Sequence, residues 1–278
     1  MTLHFSVLMS VYYKESPINL HNSLYSIWDI QYLKPDQIVL VCDGILTKEL
    51  LEVVDMWEIK LKDILTVIQL EYNLGLSNAL NVGLRYCSFD YVARMDSDDI
   101  SHPNRFSLQM NFMELRPNIS ILGSSVLEFK GDISNIISIR KVASDHISIK
   151  KRFKYFCPIN HPSVIFNKND VLSVGGYRDI YLKEDLDLWL RLLNEGFLFH
   201  NLNDELLYYR VSDELYKRRG GFNYFISELN LINFRYKLNM INIVELFLLY
   251  IIILPIRLVP SVFRKYVYNI IKLVNYIN

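Results

Sequence analysis

The sequence predicts an α/β fold: an open, mainly parallel sheet flanked by helices, followed by a helical tail. Three observations predict it. Short β-rich runs bounded by turn residues alternate with helix-period segments through the first hundred residues, the mark of βαβ units. A polar or acidic residue follows each of those runs, and from Ile243 onward the composition turns to Leu, Ile, Val, Phe and Tyr. The length of 278 residues suits one domain of about 150 to 250 residues with an appended segment. The boundary is placed at 221, giving an α/β domain over 1–221 and a tail over 222–278.

In chain order, strands are expected at Phe5–Val11, Gln37–Cys42, Ile64–Leu70 and Tyr91–Met95. Between them, Asn19–Ile30, Lys48–Lys60 and Leu76–Cys87 carry the apolar spacing of helices that pack one face on a sheet. Ligands of open α/β sheets bind beyond the carboxyl ends of the strands. Here those ends are Tyr12 to Glu15, Asp43-Gly44, Tyr72-Asn73 and Asp96 to Asp99, so four polar ends are expected along one edge.

The section from about Ile119 to Gly176 mixes a strand run at Ile121–Phe129, a turn at Gly131-Asp132 and a helix-like stretch at Asp145–Phe156; the pattern leaves the strand order open. Glu184–Asn194 is expected to be a helix, with Leu186, Leu190 and Leu193 on one stripe, acids in its first turn and Gly196 beyond its end. The uncharged run Leu246–Ile256 falls short of the ~20 apolar residues of a spanning helix. Pro255 and Arg257 are expected to interrupt it, so the tail is expected to lie on a membrane. Leu258–Ile277 interleaves Arg264, Lys265 and Lys272 with apolar residues, as an interfacial helix on an anionic leaflet does. The alternative is a helix pair buried against the α/β domain or in a homo-oligomer.

With 30 basic and 30 acidic side chains the net charge is zero, and no global field favours nucleic acid. Cys42, Cys87 and Cys157 lie far apart and read as small apolar residues of a reducing compartment rather than as a metal or redox site. The chain reaches its first strand without a basic region or an apolar signal core, which gives the expectation of a protein retained in the cytoplasm.

Asp96-Ser97-Asp98-Asp99 follows an apolar strand, gathering carboxylates whose mutual repulsion a cation relieves. Magnesium or manganese, held by one or two carboxylates and the oxygens of a substrate diphosphate, fits such a sparse site; an acidic turn capping the next helix is the plainer reading. Asp43-Gly44 reads as a simple turn or as an acceptor for a nucleobase imide or ribose hydroxyl. Asn73 to Ser77 reads as a helix start or a ligand contact, and Tyr12, near Glu15, as a packing residue or a base-stacking one. Glu184-Asp185 opens its helix either as capping acids or as a general base for an acceptor hydroxyl. Trp189, one turn on, is core or an apolar face for an acceptor sugar. Arg210 and Lys217-Arg218-Arg219-Gly220-Gly221 read as a solvated basic loop or as a cationic loop closing over a diphosphate. His161 reads as structural.

Taken together, Ser6 to Tyr12, Val41 to Gly44, Asn73 to Asn81, Asp96 to Asp99, Gly175-Gly176-Tyr177 and Glu184 to Trp189 resemble the family 2 glycosyltransferases of the GT-A fold. The resemblance runs from about Ser6 to Arg210. It implies that Tyr12, Glu15 and Asp43 hold the uridine of a UDP-sugar, that Asp96 and Asp98 serve ribose, diphosphate and Mn2+ or Mg2+, and that Asp185 is the catalytic base. Two departures stand out: Ser10 where Pro is common in the family, and Ser212-Asp213 where many relatives carry a histidine.

The implied reaction is a single inverting displacement giving a β-linkage. The short tail resembles bacterial enzymes that extend O-antigen or capsule units on a polyprenyl diphosphate lipid, which implies transfer of glucose or galactose to a lipid-linked N-acetylhexosamine at the cytoplasmic face of the inner membrane. The alternative is a membrane-bound nucleotide-sugar or saccharide binding subunit without turnover. A magnesium-dependent aspartyl phosphatase normally carries its Asp-x-Asp after the first strand, not the fourth, and neither G-x-G-x-x-G nor G-x-x-x-x-G-K-[ST] occurs.

Overall fold

The computed structural model describes residues 3–212 and 220–258. The basic run Lys217 to Arg219, with Asp213, and the stretch holding Arg264, Lys265 and Lys272 lie outside the described residues.

The first half forms as its pattern predicts. β1 (Phe5–Val11), α1 (Pro17–Trp28), β2 (Gln37–Cys42), α2 (Lys48–Leu61), β3 (Leu65–Gln69), α3 (Leu76–Tyr86) and β4 (Tyr91–Asp96) follow in order. All their strand pairs are parallel, with β1 central: Met9 pairs with Leu40 of β2 and with Met95 of β4. Both sheet faces are covered, so the strands read as continuous apolar runs. Successive side chains feed opposite cores. Val7, Met9, Ile38, Leu40 and Met95 pack with α1 and α2 through Leu20, Leu24, Val54 and Trp57. Leu8, Val39, Val41 and Val92 meet α3 through Ala79, Leu80 and Leu84 on the other face.

Small differences from the expected boundaries have local causes. α1 starts two residues early, at Pro17, because the fixed φ of proline suits a first helical turn and its missing N–H is not needed there. A 3₁₀ turn at Lys62–Ile64 takes the residue expected to open β3. Gly83 lets α3 press on the sheet: a Cβ there would sit 2.8 Å from Val41 Cγ2, and closer still to Leu8.

Beyond β4 the sheet becomes mixed. β5 (Ile100–Ser101), α4 (Arg105–Leu115), β6 (Ile119–Phe129), β7 (Ile136–Arg140), α5 (His146–Arg152), β8 (Ile165–Asn167), α6 (Lys168–Ser173), α7 (Glu184–Asn194) and β9 (Leu198–Arg210) complete it. The strand order is β3-β2-β1-β4-β8-β6-β9-β5, with β7 on β6. The three-residue β8 is antiparallel to both β4 and β6. Long β9 then runs parallel to β6 through register shifts and returns Arg210 to the edge where β4 ends.

Two helices follow, α8 (Phe222–Lys237) and α9 (Ile243–Leu258). Contrary to the expected break, α9 continues through Pro255. Pro255 lies on the exposed face, four residues after the exposed Ile251, where the carbonyl its ring releases needs no protein partner. Leu231 of α8 joins the same apolar cluster as Leu186 and Leu190 of α7. α9 closes a smaller cluster through Leu246, Leu249 and Leu254, while Val244, Phe247, Leu248, Ile251 and Ile252 stay exposed along its other side. Among the described residues no helix is long and apolar enough to cross a membrane.

Candidate active site

The carboxyl ends of β1, β2 and β4 bring Glu15, Asp43 and the Asp96 to Asp99 turn to one edge. The carboxylates of Asp96, Asp98 and Asp99 each offer an oxygen within 4.8 Å of the others. Asp96 is ion-paired with Arg94, two residues earlier on the same face of β4 and 2% exposed. Asp99 is fully buried; its Oδ1 accepts the Arg210 backbone N–H at 2.8 Å, and its Oδ2 has no hydrogen-bond partner. Burial, then the charges of Asp96 and Glu15, push the Asp98 carboxyl up to about 7. Asp99 is raised well above the usual range by burial and by Asp98. A divalent cation relieves such repulsion, and an all-oxygen set with an unpartnered buried oxygen is the donor chemistry that holds one.

Glu15 is fixed from both sides. Its Oε1 accepts Ser16 N–H at 2.8 Å and Asn19 Nδ2 at 3.1 Å, and its Oε2 accepts Ser97 Oγ at 3.2 Å. The exposed ring of Tyr12 stands edge-on to Tyr13 at 5.8 Å. Asp43, 4% exposed, turns its carboxylate to the next loop and accepts N–H from Leu74 at 2.7 Å and from Gly75 at 3.1 Å. Asn73 Nδ2 donates to the Asp43 carbonyl at 3.1 Å. The glycine after it permits this approach. Gly44 has φ +86°, and a Cβ there would meet Asn73 N at 2.6 Å, so both backbone sterics and the neighbouring loop demand glycine.

Arg210 reaches this edge but is committed to it structurally. Its Nε donates to the Asp98 carbonyl and its Nη1 to the Gly131 carbonyl, both at 2.8 Å, and its guanidinium lies 4.5 Å from the Phe129 ring centroid. It braces the acidic turn.

α7 presents Glu184 and Asp185 from its first turn. Burial, then the Asp185 charge, raise the Glu184 carboxyl to about 7, and the charges of Arg94 and Asp96 act on it too. The α7 tip therefore lies within electrostatic reach of Arg94 and Asp96. Asp185 Oδ1 accepts the Leu186 N–H at 2.7 Å. Behind these groups, His161 Nε2 and the Tyr177 hydroxyl share a hydrogen bond of 2.9 Å. Burial, and next the Arg94 charge, hold His161 well below its ordinary pKa, so it is a neutral structural histidine, as the sequence suggested.

Of the two readings of Trp189, the structure shows the core one. It is fully buried, edge-on to His161 at 5.9 Å and to Phe199 at 6.2 Å, because its face of α7 turns to the sheet; it offers no surface for an acceptor sugar. Arg94 is an electrostatic neighbour of the site that residue-by-residue reading did not single out, and Tyr177, named there only within the Gly175-Gly176-Tyr177 match, is another. The available signal for Arg94 was a cation inside an otherwise apolar strand, between Ala93 and Met95. The cysteines are free, and burial raises the thiols of Cys42 and Cys87 to about 12, which keeps them unreactive.

The Glycosyl transferase family 2 model matches residues 6–174, more than half of the 278-residue chain. The chain belongs to glycosyltransferase family 2. It is 40% identical over 270 residues to the UDP-Gal:alpha-D-GlcNAc-diphosphoundecaprenol beta-1,3-galactosyltransferase of Escherichia coli, covering 96% of each chain. It is 37% identical over 265 residues to the amylovoran biosynthesis glycosyltransferase AmsE of Erwinia amylovora, covering 95% of this chain and 98% of that one. Among solved structures, S. aureus TarS 1-349 in complex with UDP-GlcNAc superposes with a TM-score of 0.63 at 16% identity, over 83% of this chain and 66% of that one. The mannosyltransferase PcManGT of Pyrobaculum calidifontis, in complex with GDP-Man and Mn2+, gives 0.62 at 18%, over 84% and 64%. This family 2 chain thus spans a little under two thirds of the length of these two structures, whose likeness is one of fold.

Proposed function

We propose that the protein is an inverting glycosyltransferase that moves a hexose, galactose or glucose, from a UDP-sugar to an N-acetylhexosamine carried on a polyprenyl diphosphate, in the assembly of a bacterial surface polysaccharide. The observation that carries the reading is the gathering of the Asp96, Asp98 and Asp99 carboxylates, with oxygens within 4.8 Å of one another, at the end of β4 beside Arg94, whose charge also reaches Glu184 at the start of α7. The 40% identity to a galactosyltransferase named for a diphosphoundecaprenol acceptor, across 96% of both chains, supports the substrate class.

In this reading the uridine lies along Tyr12, Glu15, the Asp43 turn and Asn73, and Asp96 with Asp98 would hold Mn2+ or Mg2+. When bound, the cation supplies positive charge against the departing diphosphate. Asp185 takes the proton of the acceptor hydroxyl; the oxygen forms its bond to the anomeric carbon as the bond from that carbon to the UDP oxygen breaks on the opposite face. UDP needs no separate acid, so the protein supplies position, water exclusion and electrostatics. Glu184, beside the base, lines the acceptor side. An α-linked donor gives a β-linked product. The exposed apolar side of α9 suits the surface of the membrane that carries the acceptor, at its cytoplasmic face.

The test is transfer from a panel of UDP-sugars to a synthetic N-acetylhexosaminyl diphosphate lipid with manganese, magnesium or chelator, reading product mass and anomeric configuration. A metal-dependent β-linked hexose product is expected. UDP binding by calorimetry with neither transfer nor donor hydrolysis would instead mark a binding subunit.

A further inference from the structure

The helix that carries the proposed base is not fixed by its own sequence. Lys183, at the N-cap position of α7, makes no side-chain cap, and Leu182 before it has φ +53°, in the left-handed region. Such a start has no cap from the N-cap side chain, the Leu186 N–H being taken by Asp185 itself, and it puts a leucine where glycine is favoured.

What holds the tip lies more than forty residues further along the chain. The Lys183 side chain runs into α8, where its Nζ sits 3.1 Å from Glu228 Oε2 and 4.9 Å from the Tyr224 ring centroid. Arg257 of α9 reaches the same Glu228 oxygen at 2.9 Å and the same ring at 5.1 Å. Glu228 is 2% exposed. Burial opposes its ionisation, but Lys183 and Arg257, with Arg235 behind them, outweigh it and hold the carboxyl below its ordinary value. The same pair of helices grips the neighbouring loop: Arg235 Nε donates to the Phe153 carbonyl at 2.8 Å, and Lys154 Nζ to Glu245 Oε1 at 3.1 Å. That loop leads to Cys157, whose thiol feels the charges of Asp185, Lys183 and Arg235.

We propose that Glu228 is a positioning residue: through Lys183 it sets the pose of the α7 tip and hence of Asp185 toward the acceptor hydroxyl. The inference rests on the reading of Asp185 as base. Two contacts on one oxygen make it separable from plain stability, because the Arg257 contact braces α8 against α9 while only the Lys183 contact reaches α7. Reactive geometry is lost over displacements of about an ångström, at a cost of up to roughly a hundredfold in rate, whereas mere bracing changes melting and not turnover.

The experiment compares Glu228→Gln, Lys183→Gln, Arg257→Gln and Asp185→Asn in the full-length protein. It measures kcat and KM for donor and acceptor, donor hydrolysis to water, and Tm, all well below the melting point. Glu228→Gln and Lys183→Gln are expected to lower the transfer kcat about tenfold or more, with the donor KM and UDP affinity unchanged and hydrolysis rising relative to transfer. The double variant Lys183→Gln/Glu228→Gln, an amide pair, is expected to recover part of that kcat. Arg257→Gln, which removes a side chain only 12% exposed from the α8–α9 brace, is expected to lower Tm and leave kcat within about twofold, because it does not touch α7.

Equal kcat losses in Arg257→Gln and Glu228→Gln, tracking Tm, would reduce the network to a structural brace and overturn the proposal, as would a wild-type kcat in Glu228→Gln. Full transfer in Asp185→Asn would remove the base reading and this inference with it. A dead Asp185→Asn beside a fully active Glu228→Gln would remove the inference alone.

Discussion

The sheet edge carrying Glu15, Asp43 and Asp99 and the helix tip carrying Glu184 and Asp185 are anchored differently. Glu15, Asp43 and Asp99 are each held by a backbone N–H, from Ser16, from Leu74 and Gly75, and from Arg210, while Asp96 pairs with the Arg94 side chain. At the tip the Asp185 carboxylate also takes a backbone N–H, from Leu186, but the start of the helix is tied to another helix by a side-chain ion pair, Lys183 with Glu228. Backbone anchors survive substitution of the residue that supplies them; side-chain anchors do not. In the proposed reading the nucleotide end is thus the invariant half of the machine, and the acceptor end can be retuned by a few distant substitutions. The family match, residues 6–174, stops before α7 begins.

Substitution sharpens this contrast. The largest effect is expected for Asp185→Asn: transfer falls by about a thousandfold or more, while metal-dependent UDP binding by calorimetry stays at the wild-type level. Loss of UDP binding in that variant would mean that the tip serves the nucleotide and the two halves are not separable. Asp98→Asn should give the opposite pattern, with UDP affinity losing its manganese dependence and transfer falling about a hundredfold. If the variant keeps both, the acidic turn is a structural cap.

Gly44→Ala should be smaller and confined to the nucleotide side. Forcing a Cβ against Asn73 N at positive φ costs about 1–3 kcal/mol of local strain, read as a raised donor KM with an unchanged acceptor KM. An effect on acceptor KM alone would break the comparison.

A pH experiment gives the smallest shift. The Asp98 pKa is raised, so between its ordinary value of 3.8 and about 7 the folded chain binds more protons than the unfolded one. The linkage slope is then negative: this group lowers stability as pH rises through that window. A cation that takes the place of the proton should restore more at pH 8 than at pH 6. Thermal melts should show a manganese-induced rise in Tm that grows with pH; a rise that shrinks with pH would place the metal elsewhere.

Legibility followed the same division. β1 to β4 were readable because each is an apolar run closed by a turn residue, and the carboxylates of the edge are those turn residues. β8 was not readable: three residues, Ile165–Asn167, carry no period, and their antiparallel insertion between β4 and β6 is decided by sheet geometry. α9 hid behind Pro255, which usually ends a helix but here falls in the last turn on an exposed face. Trp189 belongs to a helix whose buried side is broader than the leucine stripe suggested. Glu228 and Lys183 are single charged residues far apart in sequence, and no local pattern links them. Local chemistry is written in runs and turns, whereas tertiary ion pairs appear only once helices have packed.

Gly83 carries a consequence for inheritance of the nucleotide slot. α3 starts right after the loop that Asp43 holds, and Gly83 lies about two turns, roughly 10 Å, along it. A methyl group at that point acts as a wedge under the helix, because Val41 and Leu8 beneath it are fully buried and cannot retreat. The wedge tilts the far end of the helix, so a substitution deep in the interior is expected to register as weaker UDP affinity. The aperture of the slot is gauged by an atom that is not there.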